Sequence, residues 1–172
     1  MKRPLIAVLI AIPLAAGAGA QEEHHHSAPE HLGAAHLATS CSPAEATAFN
    51  RANALLHSFS YNDANAGFAD VALRDFRCAM AHWGRAMTYY HQLWDVPVGA
   101  GLAAGINEIG LAEKIGAGTP RERAPIAALG IYYADVDRIP ANARAIRYSD
   151  AMANVHATTR PTTRSRHSMP YH

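Results

Sequence analysis

Neither sign of charge dominates this chain. Lys and Arg number 15, Asp and Glu 14, and the formal net charge is +1 across 172 residues. Nothing in that balance supplies the basic face that nucleic-acid binding needs, so no nucleic-acid partner is expected. Catalytic signatures are also missing. There is no Gly-x-Ser-x-Gly elbow, no His-Glu-x-x-His and no phosphate-binding glycine loop. The carboxylates are scattered at helix starts and exposed positions, where capping and the helix dipole account for them better than acid–base work. The chain therefore reads as non-catalytic, with no cofactor expected. Cysteine is scarce too: Cys41 and Cys78 are the whole complement.

The apolar run at residues 5–16 is too short for a membrane span. Lys2 and Arg3 precede it and Ala18-Gly19-Ala20 comes after it, the pattern of a cleaved secretory signal with Gln21 as the first mature residue. A periplasmic or secreted protein without stable membrane insertion is expected, and no cysteine stands directly after the site to take a lipid. In that oxidising compartment Cys41 and Cys78 become a natural pair. One precedes the first expected helix and the other comes after the second, so antiparallel packing puts both at one end of a helix pair. Two buried free thiols are the alternative. Residues 21–38 form a histidine-rich linker with His24, His25, His26, His31 and His36. Imidazoles of that density suit copper, zinc or nickel, while a solvated, disordered leader is the simpler and favoured reading.

A segment and its copy, 34 residues apart, organise the helical part of the chain. Phe49-Asn-Arg-Ala-Asn-Ala-Leu-Leu-His-Ser-Phe59 aligns without a gap onto Trp83-Gly-Arg-Ala-Met-Thr-Tyr-Tyr-His-Gln-Leu93. Ala52, Leu55, Leu56 and Phe59, like Ala86, Tyr89, Tyr90 and Leu93, sit at i, i+3, i+4 and i+7 of an amphipathic helix. Arg51 and Arg85 match, and both read as solvated or as holding neighbouring helix ends. Between the copies, Tyr61, Ala64, Phe68 and Val71 give a second helix, with Ser60 as its cap and Asp63 near its start. Ser42-Pro43-Ala44-Glu45 and Thr119-Pro120-Arg121-Glu122 each have the composition of a capping box.

Further along, Leu102, Ile106, Ile109 and Leu111 form a stripe weakened by four glycines, and Gly116 and Gly118 end that helix. Another helix runs from Pro120 to Tyr133 with Ile126, Leu129 and Tyr133 inward, and Pro125 as a candidate bend. Its partner begins after Pro140 and runs through Ala145, Tyr148, Met152 and Val155. The expected fold is all-α: antiparallel helix-turn-helix units over residues 39–157, stacked as a short solenoid of about three. Residues 158–172 lack apolar periodicity. They read as a disordered basic tail, or as the out-of-frame end of a longer repeat protein, since codons chosen to encode Arg160 through Tyr171 can also read as a helical string in another frame.

The chain resembles a group of exported bacterial tetratricopeptide-repeat proteins. The matching residues are His31-Leu-Gly, Thr39-Ser-Cys-Ser-Pro43, Ala54-Leu-Leu-His-Ser-Phe59 with Tyr61, Ala64 and Phe68, Cys78-Ala-Met-Ala81, Trp83-Gly84, Ala86-Met87 and Leu93-Trp94. Ala52 stands where such proteins usually have glycine. The group looks longer at its C-terminal end, so exposed last helices that self-associate are expected. The resemblance implies binding rather than a reaction, and it carries no catalytic residue over.

First helices of successive units in such repeats line a concave surface. By spacing, its contacts here are Phe49, Asn53, Leu56 and His57, then Met80, Trp83, Met87, Tyr90 and His91. An apolar, aromatic concavity of this kind suits an extended peptide or a partner helix, with Asn53 and the histidines fixing orientation. For each aromatic the competing reading is inter-helix core. A second class of function also competes. Met87 and His91 stand one helical turn apart and His57 is the equivalent of His91, so a copper ion or haem is the alternative ligand.

Overall fold

The computed structural model describes residues 32–91 and 95–159. The expected signal peptide, His24, His25, His26 and His31, residues 92–94 and residues 160–172 lie outside them. Among the described residues there are six α-helices and no strand, as the periodicity predicts. They are α1 (Ala46–His57), α2 (Tyr61–Arg74), α3 (Ala79–Thr88), α4 (Gly99–Ile115), α5 (Pro120–Tyr133) and α6 (Ala141–Thr159). Each helix packs on the next in sequence, and α3 also touches both α1 and α5. The short connectors after α1 and α2 keep each of those helices packed against the next.

Apolar spacing accounts for most of the core. Phe49, Ala52, Leu55 and Leu56 of α1 are buried against Ala64, Phe68 and Val71 of α2, with Phe49 meeting the Phe68 ring edge-on at 5.4 Å between centroids. Ile126, Leu129 and Tyr133 of α5 are buried as their pattern predicts, as is Tyr148 of α6. Each large apolar side chain so buried contributes roughly 1.5–3 kcal/mol. Two glycines allow close approach. A Cβ on Gly84 would lie 2.6 Å from the Phe68 ring, and one on Gly105 would collide with the ring of Tyr133. The glycines that weaken α4 intrinsically thus include the one that seats an aromatic from α5.

Several local expectations change. The first capping box does not form: Pro43–Glu45 make a 3-10 turn, and Ser42 makes no side-chain cap. Glu45 instead pairs with Arg74 at 2.8 Å, and the Ser42 amide donates to Asp75 Oδ2 at 2.7 Å. Ser60 does not cap α2 either, because its hydroxyl donates to Asp63 at 2.7 Å. Phe59 leaves the helical stripe. α1 ends at His57, and Phe59 takes a left-handed φ of 61° while the amides of Phe59 and Ser60 return to the carbonyls of Leu56 and Leu55. The second copy stops earlier still, at Thr88, so Tyr89 and Tyr90 come after the helix rather than extend it. Thr88 draws its hydroxyl back to the Arg85 carbonyl at 2.7 Å and accepts from Asn65 at 2.7 Å, which fixes that end.

In α4 the buried face is Gly105, Glu108, Ile109 and Ala112, while Ile106 is exposed and Leu102 and Leu111 are half-buried. Glu108 turns the face. It is buried between His82 Nδ1 at 2.8 Å and an Arg85 amine at 2.6 Å, so Arg85 is paired rather than solvated. At the C-terminal end, α6 takes in Thr158 and Thr159, the first two residues of the expected tail.

Cys41 and Cys78 form a disulfide, with Cα atoms 4.6 Å apart. It joins the residues just before the 3-10 turn to the start of α3, and the Ser42–Asp75 hydrogen bond lies beside it.

Candidate functional site

The end of the histidine-rich linker belongs to the folded body. Residues 32–40 have no regular structure, yet Leu32 and Leu37 pack on the hydrophobic core. The Leu37 amide donates to Asn50 Oδ1 of α1 at 3.1 Å. Ser40 donates to Glu122 Oε1 of α5 from its amide at 2.6 Å and its hydroxyl at 3.0 Å. The segment thus passes from α1 to α5 across the side where α1, α3 and α5 meet.

Glu122 makes this possible because the second capping box does form. Its amide donates to Thr119 Oγ1, and its Oε2 accepts from the Thr119 amide at 3.0 Å and hydroxyl at 2.8 Å. Both oxygens of a side chain on a 3 % exposed residue are therefore engaged. One begins the helix and the other fastens the segment to it.

Between segment and helices lies a pocket of about 470 Å³. Ala35, His36, Leu37 and Ala38 form one wall. Asn53 and His57 come from α1, Met80 and Trp83 from α3, Arg121, Glu122 and Pro125 from the start of α5, and Met152 and Val155 from α6. The volume falls among those of small-molecule sites, about 300–1,000 Å³. Two polar atoms in these walls have no partner among the described residues, Asn53 Oδ1 and Trp83 Nε1. Asn53 is 5 % exposed. An unmet buried acceptor or donor costs roughly 1–3 kcal/mol, so each such atom calls for a water or a ligand.

Four of the sequence-predicted contacts, Asn53, His57, Met80 and Trp83, come together here. Phe49, Leu56 and Tyr90 do not, lying instead in the inter-helix core. Tyr90 packs against Tyr132 at 4.3 Å and Tyr148 at 5.2 Å between centroids. Met87 receives the Tyr148 hydroxyl on its sulfur at 3.7 Å. His91 stacks on Tyr61 at 4.3 Å, and its Nδ1 and Nε2 face Asp95 Oδ1 at 2.6 Å and the Thr88 carbonyl at 2.9 Å. Both nitrogens thus meet oxygen acceptors, and neither is presented to a metal. Among the described residues, Cys41, Asp75 and Cys78 are a group with metal-ligand character, but both sulfurs are in the disulfide.

Behind the pocket, burial pushes the Tyr148 phenol up to about 12 and raises those of Tyr90, Tyr132 and Tyr133 as well. Tyr133 donates to the Ala86 carbonyl at 2.7 Å, tying α5 to α3. Arg144 of α6 is buried, with its guanidinium 4.8 Å from the Tyr132 ring centre and a bond of 2.6 Å to the Tyr132 carbonyl. The Arg144 contacts tie α6 to α5.

Sequence spacing did not expose the role of residues 35–38 or of Glu122. The signals that could have done so were Leu32 and Leu37, two large apolar residues in an otherwise polar stretch, and the capping box itself. No family model, curated protein or solved structure matches the chain.

Proposed function

We propose that this chain is a non-catalytic interaction module of the periplasm or cell exterior, a short stack of tetratricopeptide-like hairpins that holds an apolar stretch of a partner peptide. The 34-residue repeat and the contacts of α3 with both α1 and α5 support the stacked-hairpin reading. A disulfide suits an oxidising compartment, and no described helix is long and apolar enough to cross a membrane.

The observation that carries the binding reading is a pocket of about 470 Å³ lined by α1, α3, α5 and α6, with two orphaned atoms buried in its walls. Asn53 Oδ1 lacks a donor and Trp83 Nε1 lacks an acceptor. A peptide group brings one of each, N–H and C=O, beside an apolar side chain. Met80, Pro125, Met152 and Val155 of the lining supply apolar surface for that side chain.

Panning a displayed library of random peptides on the oxidised chain tests this. The expected result is enrichment of sequences with an apolar anchor that bind weakly or not at all to Asn53→Leu and Trp83→Ala. Thermal melts of both variants check that they fold. Failure to enrich any sequence, or equal binding to folded variants, would contradict the proposal.

A further inference from the structure

The side of the molecule where α1, α3 and α5 meet is already crossed by the chain itself. Residues 35–38 occupy one wall of the pocket, fastened by the Leu37 amide to Asn50 and by Ser40 to Glu122. On the other side stand Met152 and Val155 of α6. An extended peptide lying along the whole face would have to displace the bound segment and break those hydrogen bonds. The space that stays open is the pocket of about 470 Å³, bounded by the segment and by α6.

We infer that the ligand is short: an apolar residue flanked by amides, carried by the end of a chain or by a free small molecule of the same chemistry. This inference rests on the binding reading above and narrows it. Asn53 and Trp83 line the pocket, but their Oδ1 and Nε1 atoms are buried within its walls rather than open to it, so ligand contact needs the asparagine amide to turn about its soft terminal torsion and the indole to shift. The indole N–H takes the ligand carbonyl. The apolar side chain lies among Met80, Pro125 and Met152.

Trp83 reports the outcome in a chain carrying Trp94→Phe, the two tryptophans being Trp83 and Trp94. The probes are N-acetyl-leucine amide, a long peptide ending in that unit, and a long peptide with leucine in its middle. N-acetyl-leucine amide is expected to change Trp83 emission saturably and to lose that effect in Asn53→Leu. The mid-chain peptide is expected to bind at least about tenfold more weakly. Leu37→Asp, checked for retained helix content, should release the segment and remove that difference. Binding of the amide without the end-placed peptide identifies a free small molecule as the source, whereas binding of both identifies a chain end. Tight binding of the mid-chain peptide to the unaltered segment, with no competition from the amide, would overturn the short-ligand inference and leave the binding reading standing. No response to any probe would overturn both.

Discussion

Leu55 and Phe59 stand four residues apart on the same expected stripe, yet one is buried and the other 48 % exposed. The helix ends between them, and periodicity alone cannot say where a stripe stops being helical. Core positions flanked by further helix were legible, as Phe68, Val71 and Leu129 show. Spacing put Asn53 forward as a contact and the structure places it in the pocket lining, but its missing partner depends on the other chain segments placed around it. Gly84 illustrates the same limit, because only the approach of Phe68 makes a small residue necessary there. Gly84→Ala should lower unfolding free energy by roughly 1–3 kcal/mol despite the better helix propensity of alanine. Urea denaturation measures it, and an unchanged midpoint would mean that the Phe68 ring can move aside.

Tyr148 carries a pH prediction. Its folded phenol is raised to about 12, above the ordinary value of 10.0, so the native state keeps a proton that the unfolded chain releases first. The associated stability is complete below the unfolded value and is lost as pH rises from about 10 through about 12. Unfolding measured at stepped alkaline pH should show this decline, shallower in Tyr148→Phe. Some decline should persist, since burial also raises Tyr90, Tyr132 and Tyr133. A wild-type profile that stays flat to pH 12 would contradict the buried-phenol account.

At the level of elements, two stretches with the same capping composition behave differently. Thr119 and Glu122 complete their box, while Ser42 and Glu45 are drawn away by Asp75 and Arg74. The difference is tertiary. The Cys41–Cys78 bridge holds Ser42 beside the α2–α3 connection, where Asp75 takes its amide. Compartment and topology pair the cysteines from sequence, but neither foretells that the pair would cost the first helix its cap. Replacing both by serine should destabilise the chain by about 4 kcal/mol in the loop-entropy model. It should also loosen residues 32–40, which the bridge anchors from one side and Glu122 from the other. Denaturation of the double variant, with amide exchange at Leu37 and Ser40, checks both effects. Unaltered exchange there would show that the Asn50 and Glu122 bonds hold the segment by themselves.

Across the described residues, helical content was the most legible feature. A spacing of 34 residues predicted helices in pairs, and the six described helices pack in sequence order with α3 joining α1 and α5. Less legible was the use of the shared face. A polar, histidine-rich stretch carries no period, so its return across that face could not be read from pattern. The placement rests on a few specific bonds, Leu37 to Asn50 and Ser40 to Glu122, formed by residues 13 and 82 positions apart. The result is a helical body in which residues 35–38 form one wall of a bounded pocket.

Binding of an apolar unit by Asn53 and Trp83 in this pocket can be observed atom by atom. The experiment is nuclear magnetic resonance of the labelled, oxidised chain during titration with N-acetyl-leucine amide. Saturable shifts are expected for the Trp83 indole N–H, the Asn53 side-chain amide and the backbone amides of residues 35–38, with the α2 signals nearly still. Unmoved Asn53 and Trp83 signals at ligand saturation, or shifts confined to another surface, would contradict the binding role of the pocket.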